Sequence, residues 1–278
     1  MKCFYKISEL QEYLQEQHGK SLGFVPTMGA LHKGHLQLVE KSLSENDITV
    51  VSIFVNPIQF NDPKDYELYP VTIDKDIAKL TEINCDVVFI PDVDEMYPED
   101  YKMDFDFGYL EQVLEGKFRP GHFKGVGKVV FRLFDIVKPD NAYFGKKDYQ
   151  QLAIIKKMVK DYNLPVNIIP CPTVRENDGL AMSSRNVRLS PEERNIAPEI
   201  YKILKYSSLL VKSHTVKEVE DIIKNKINSI KKFNLEYFEI VDAETFKKIN
   251  QWDETDKPLG CIALFLGSVR LIDNIEYF

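Results

Sequence analysis

The sequence predicts an α/β fold: a Rossmann-like, doubly wound parallel sheet over residues 1–173, with a smaller α+β domain over 174–278. Three observations predict it. The run 48-ITVVSIFV-55 is apolar and β-branched nearly throughout, which marks a strand covered on both faces, as in a parallel sheet. Strand-like runs alternate with helical spacings up to about residue 173. After that point two amphipathic stretches lead into a group of strand-like runs. A chain of 278 residues fits one large domain or two moderate ones and is long enough for a sizeable core.

The elements follow in order. Ser8, three residues before Gln11, reads as a capping box that opens a helix over 8–18, with Gly19 as its C′ residue. The short run 22-LGFV-25 reads as a buried strand. Behind it Leu36, Val39 and Leu43 recur at helical spacing, in a helix opened by His35. A helix over 73–82 precedes the strand 86-DVVFI-90. Val126, Val129, Val130, Leu133, Phe134 and Val137 share one helical face. The strand 142-AYFG-145, a helix over 148–162 and the strand 166-VNIIP-170 complete the first domain. The second domain opens with helices over 191–212 and 216–231. The latter carries the stripe Val216, Val219, Ile223, Ile227 and Ile230. Strands 235-LEYFEIV-241, 260-GCIALFL-266 and 269-VRLID-273 follow.

Composition narrows the function classes. A net charge of -7 argues against a non-specific nucleic-acid binder. Cys3, Cys85, Cys171 and Cys261 lie far apart and form no CxxC pair, so they read as reduced thiols. No run resembles a signal peptide or is long enough to cross a bilayer, so a cytoplasmic protein without a membrane partner is expected.

In open parallel sheets, ligands bind beyond the carboxyl ends of the strands. Polar clusters follow four of the predicted strands. Pro26-Thr27-Met28-Gly29 leads into His32 and His35, and Asn56-Pro57-Ile58-Gln59-Phe60 follows the second strand. Lys146-Lys147-Asp148 follows the strand ending at 145, and Arg175, Asp178 and 182-MSSR-185 come after the last. Gly29 and Gly34 permit close backbone approach to a ligand. Helix N-terminal amides and an imidazole both suit an anion. Lys147 is a candidate phosphate contact, and Arg185 can grip a phosphate with two parallel donors. The loop 118-FRPGHFKGV-126 offers Arg119, His122 and Lys124 as further donors. Zinc is a rival reading of the two histidines, weakened by the lack of a nearby third ligand. The carboxylates of 74-DKD-76 suit either magnesium or the capping of a helix, and the metal ligands stay unassigned.

Five stretches together, 26-PTMGALHKGH-35, 52-SIFVNPIQF-60, 119-RPGHFKGV-126, 144-FGKKDYQQL-152 and 178-DGLAMSSRN-186, resemble the pantothenate synthetase family. The HxGH element alone marks only the wider nucleotidyltransferase superfamily, which includes class I aminoacyl-tRNA synthetases. The stretch 271-LIDN-274 also looks familial. The resemblance implies an ATP-dependent condensation of (R)-pantoate with β-alanine. It proceeds through a pantoyl-adenylate and releases AMP and pyrophosphate, with magnesium and a homodimer. It implies that Met28, Gly29, Ala30, Leu31, His32, Lys33, Gly34 and His35 line the ATP site, with His35 as proton donor. Gly145, Lys146, Lys147 and Asp148 would contact ATP, as would Val174, Met182, Ser183, Ser184 and Arg185. Gln59 would contact pantoate and the β-alanine site, and Gln151 pantoate. Catalysis would rest on His35, His32, Lys147 and Arg185. Lys146 departs from the family, where an acidic residue is common at this position. The second domain and the 175–186 loop are expected to close over ATP. Two other readings compete: a different HxGH nucleotidyltransferase, and a nucleotide-binding module without turnover.

Overall fold

The structure, a computed structural model, describes residues 1–98 and 101–278. It divides into two compact units. The first comprises residues 1–112, 116–146 and 151–172. The second comprises 113–115, 147–150 and 173–278. The second unit therefore includes two short excursions of the N-terminal chain.

In the first unit, six parallel strands form one sheet in the order β1-β4-β3-β2-β5-β6. They are β1 (Lys2–Phe4), β2 (Leu22–Thr27), β3 (Ile48–Ile53), β4 (Val87–Phe89), β5 (Asn141–Gly145) and β6 (Asn167–Cys171). From β2 the chain winds outward through β3 and β4, then returns to the other side of β2 for β5 and β6. That is the doubly wound arrangement, with its switch point between β2 and β5. Every residue of β3 is buried, as its unbroken apolar run requires. β1, an edge strand three residues long, has no periodicity from which it could be read.

The helices in chain order are α1 (Ile7–Gln15), α2 (Lys33–Glu45), α3 (Pro63–Glu67), α4 (Ile73–Glu82), α5 (Val93–Met96), α6 (Leu114–Phe118), α7 (His122–Val137) and α8 (Tyr149–Asp161). Leu38 and Val39 of α2 and Leu80 of α4 pack on Val25, Val51, Ile53 and Val88 of the sheet. The six apolar residues expected on one face of α7 are all buried.

Two expectations fail at α1. Its N-cap is Lys6, without a side-chain cap, and Ser8 lies inside the helix. The exposed N-terminal N–H of Ile7 donates instead to Glu95, 88 residues away, at 2.8 Å. A tertiary carboxylate thus does the work of a local cap. The helix stops at Gln15, and Gly19, with φ +84°, closes the turn after it rather than the helix itself. α7 likewise starts at His122, so half of the expected 118–126 loop is helix.

The second unit carries α9 (Pro191–Ile196), α10 (Glu199–Leu210), α11 (Val216–Asn228) and an antiparallel sheet β7-β8-β9. Its strands are β7 (Phe233–Asp242), β8 (Pro258–Leu266) and β9 (Val269–Glu276). The helix expected over 191–212 is broken at Ala197-Pro198. Pro198 has no N–H for the carbonyl of Arg194, and its ring crowds that carbonyl. The stripe of α11 packs with Ile262, Leu264 and Leu271 of the sheet.

Candidate active site

The HxGH turn is held from both sides by backbone geometry. β2 runs on through Thr27, then Gly29 and Ala30 take left-handed φ values of +78° and +48°. Gly29 is required twice over. A side chain there would be strained at that φ, and its Cβ would lie 3.0 Å from Ile53 and 3.2 Å from Asp76. Ala30 carries the strain of a left-handed L-residue, which other contacts must offset.

Asp76 of α4 supplies those contacts. It is fully buried, and its two oxygens accept from the backbone N–H groups of Ala30 and Leu31, each at 2.8 Å. The Thr72 hydroxyl donates to it at 3.1 Å. One turn along the same face, Lys79 Nζ donates to the carbonyl of Leu31. The pair Asp76 and Lys79 therefore clamps the turn by its donors and its acceptor. In the sequence Asp76 stood open to magnesium or to helix capping, and it is found on the turn instead; Lys79 did not stand out. The readable signal is a carboxylate on the apolar face of an amphipathic helix, four residues before buried Leu80.

Helix α2 opens one turn earlier than His35: His32 is its N-cap. His32 Nδ1 accepts from the N–H of Gly34 at 3.1 Å, and His35 Nδ1 accepts from the N–H of His32 at 3.3 Å. The spacing of three is that of N-cap to N3, so two imidazoles form a reciprocal capping box. The rings stack with centroids 4.0 Å apart. Accepting through Nδ1 puts the neutral ring's proton on Nε2 in both residues.

The amides of the turn are engaged within the chain. Gly29 N–H goes to Thr27 Oγ1, those of Ala30 and Leu31 to Asp76, and that of His35 to the carbonyl of His32. The backbone amides expected to suit an anion are thus largely taken up within the chain. The imidazoles sit at the N-terminus of α2, where the helix dipole favours an anion. Lys33 is exposed, and Met28, Gly34, His32 and His35 are partly buried.

The segment after β3 meets this turn. Gln59 Nε2 lies 3.0 Å from the thioether sulfur of Met28, and Gln59 Oε1 accepts from Asn56 at 3.0 Å. Asn56 is 1% exposed and fully engaged. It donates also to the carbonyl of Gly125 and accepts from Tyr97 at 2.8 Å. It is scaffolding. Gln59 is different, because a thioether is a weak acceptor that a better one displaces easily. Gly125 lets α7 pack this closely: a Cβ there would lie 2.4 Å from the carbonyl oxygen of Ile58.

His122 and Arg119 are not presented as expected. His122 is 6% exposed, and its Nδ1 lies 2.8 Å from the carbonyl of Gln59, which can only accept. Its proton is therefore on Nδ1, and Nε2 accepts from Arg119 at 3.0 Å. Both residues brace the Gln59 segment. Gly145 ends β5 at the switch point with Lys146 following, and Gln151 lies on α8, all three partly buried.

The remaining candidates belong to the second unit. Lys147 and Asp148 form a short turn in which Lys147 Nζ lies 3.2 Å from Asp148 Oδ1. Val174 through Met182 is a tight hairpin, with Met182 N–H donating to Val174 at 3.0 Å and Glu176 N–H to Leu180 at 2.8 Å. Its Arg175 makes a two-pronged pair with buried Asp273 at 2.6 and 2.9 Å and stacks on Tyr201 at 3.6 Å. Arg175 is thus structural, and the hairpin is an ordered one. Ser183 then caps the helical turn Ser184–Arg188 by accepting from Arg185 N–H at 3.3 Å. Ser184 is buried, and Arg185 is partly buried.

The three buried thiols are not poised as nucleophiles. Burial pushes Cys85 up to about 12 and also raises Cys171 and Cys261. Among the described residues, no three His, Cys, Asp or Glu side chains converge to hold a metal ion.

The chain is similar to known proteins over its whole length. A family model for pantoate-beta-alanine ligase matches residues 2–276. A pantothenate synthetase of Porphyromonas gingivalis strain W83 is 50% identical, covering 100% of this chain and 99% of its own. One from Bacteroides fragilis strain YCH46 is also 50% identical with the same coverage. The crystal structure of pantothenate synthetase from Thermus thermophilus matches with a TM-score of 0.95 at 42% identity over the whole of both chains. A pantoate-beta-alanine ligase from Francisella tularensis, complexed with beta-gamma ATP and β-alanine, matches at 0.84 and 38% identity, over 100% of this chain and 98% of that one.

Proposed function

The chain belongs to the pantoate-beta-alanine ligase family, and from that premise we propose how its residues carry the family's reaction. The enzyme condenses (R)-pantoate with β-alanine at the expense of ATP, through a pantoyl-adenylate. A carboxylate oxygen of pantoate attacks the α-phosphorus of ATP in line. The bond from that phosphorus to the bridging oxygen breaks, and pyrophosphate leaves. The amine of β-alanine then attacks the acyl carbon, AMP departs with the carboxylate oxygen, and the amine loses a proton. No protein nucleophile is needed.

Phosphoryl transfer of this kind rests on positioning and charge stabilisation. His32 and His35 donate through Nε2 to phosphate oxygens, and Lys147 and Arg185 meet the charge that develops on the leaving group. The turn from Met28 to Gly34 and the segments Gly145–Asp148 and Val174–Arg185 line the ATP site. Gln59 orients pantoate and the β-alanine site, giving up its contact with Met28, and Gln151 contacts pantoate. The capping box carries this reading: it engages both imidazoles through Nδ1, which places the proton of the neutral rings on Nε2.

Magnesium suits hard oxygen ligands. Asp76 is engaged by Ala30, Leu31 and Thr72, and no cluster of protein ligands stands among the described residues. The chain's own residues do not form a magnesium cage; magnesium would come with ATP, as counter-ion of its triphosphate. By family likeness the enzyme acts as a cytoplasmic homodimer. Among the described residues, no helix is long and apolar enough to cross a membrane. Sedimentation giving a monomer at all concentrations would remove the dimer.

The test is pantoate-dependent exchange of labelled pyrophosphate into ATP. Removing one preorganised donor costs about 10²–10³ in rate. His35→Ala and Lys147→Ala are expected to lose that much in single-turnover adenylation while remaining folded. Rates near wild type in both would overturn the assignment of roles.

A further inference from the structure

The stretch 271-LIDN-274 lies in β9, outside the loops assigned to ATP, pantoate or β-alanine. Strand alternation sorts its side chains onto two faces. Leu271 and Ile275 face the core shared with α10 and α11. Asp273 sits on that same apolar face, 4% exposed, with its carboxylate on Arg175. The other face, Ile272 apart, is polar and reaches the two excursions of the N-terminal chain. Arg270 grips Glu115 with two bonds of 2.7 Å, Asn274 Nδ2 donates to the carbonyl of Lys147 at 2.8 Å, and Glu276 accepts from the Tyr149 hydroxyl at 3.2 Å.

Two adjacent residues of one strand thus hold the two cation-bearing segments. Asn274 holds the backbone of Lys147. Asp273 holds Arg175, the pivot of the hairpin that feeds Ser183–Arg185, and also accepts the N–H of Asn274 at 2.8 Å. Arg175 completes the link by reaching the carbonyl of Gly179. A lysine ammonium on a four-carbon stem is flexible. Fixing its carbonyl, and packing the ring of Tyr149 two residues on against Phe246, limits where the ammonium can go.

We propose that Asp273 and Asn274 are positioning residues of the adenylation step, Asn274 for Lys147 and Asp273, through Arg175, for the Ser183–Arg185 turn. This rests on the reading of Lys147 as a donor to ATP, and neither residue touches substrate. Asn274→Asp removes the donor and sets a carboxylate against the Lys147 carbonyl; Asn274→Ser is milder and too short to reach it.

The experiment is a double-mutant cycle on pantoate-dependent pyrophosphate exchange, with Lys147→Ala as the second site and thermal unfolding measured alongside. Each Asn274 variant is expected to lose 10- to 100-fold in kcat with little change in the KM for pantoate. In the Lys147→Ala background the same change is expected to add less than threefold. If Asn274→Asp fails to fold, Asn274→Ser decides by the same numbers. Wild-type rates in the folded Asn274 variant, or losses that multiply fully with Lys147→Ala, would overturn the proposal. A neutral Lys147→Ala with a slow Asn274 variant would overturn the Lys147 reading instead, so the two failures are distinguishable.

Discussion

Asp76→Asn is the sharpest perturbation of the HxGH turn. The carboxylate is fully buried and receives two backbone N–H groups at 2.8 Å and a hydroxyl at 3.1 Å. A hydrogen bond to a charged acceptor contributes about 1.5–3 kcal/mol. Asn keeps one acceptor oxygen but turns an NH2 group toward the other backbone N–H. One good bond is lost, the rest weaken, and a donor faces a donor. A net loss of about 2–4 kcal/mol follows. The left-handed Ala30 and its neighbour Leu31 then lose the contacts that hold them, and the imidazoles of α2 shift with the turn. A misplacement of about 1 Å costs about 10²-fold in rate. Urea unfolding and pyrophosphate exchange measure the two effects. Wild-type stability would refute the reading of Asp76 as a clamp. A large stability loss with an unchanged rate in the folded enzyme would refute its role in placing the histidines.

Other expectations follow from the same contacts. Gly29→Ala meets Ile53 and Asp76 and an unfavourable φ, so a loss of about 1–2 kcal/mol is expected by chemical denaturation. Arg270→Leu leaves Glu115 buried without its cation, and about 3–5 kcal/mol should be lost in the same assay. The N–H of Ile7, with help from Lys6, holds the Glu95 carboxyl below its ordinary range. Its contribution is therefore complete above the unfolded value of about 4.3 and fades as pH falls through the lower folded value. Glu95→Ala should cost about 1 kcal/mol near neutrality, a difference that shrinks below about pH 4 in a stability–pH series.

The parts that were legible in the sequence are those where local pattern and tertiary environment agree. The apolar run of β3 announces its double burial, and the stripes of α7 and α11 announce their faces. Pro198 shows the opposite case: the apolar spacing runs straight across it, but a missing N–H outweighs the pattern. Ser8 offered a local cap, yet Glu95 from a distant helix took the position, and no spacing in the sequence encodes that choice. The histidine pair was visible as donors to an anion. Its spacing of three also spelled a capping box, and that reading is the one that aims the rings. Asp76, Asp273 and Asn274 were harder, because each acts through a backbone group or a second side chain rather than by a motif of its own. The visible trace of the first two is a carboxylate on an apolar face.

The central claim is an acyl-adenylate formed by attack of the pantoate carboxylate on the α-phosphorus of ATP. Pantoate labelled with oxygen-18 in its carboxylate, turned over with ATP and β-alanine, tests it directly. One labelled oxygen in AMP, read by mass spectrometry beside pantothenate, is the predicted result. Unlabelled AMP, or label in inorganic phosphate released with ADP, would contradict it.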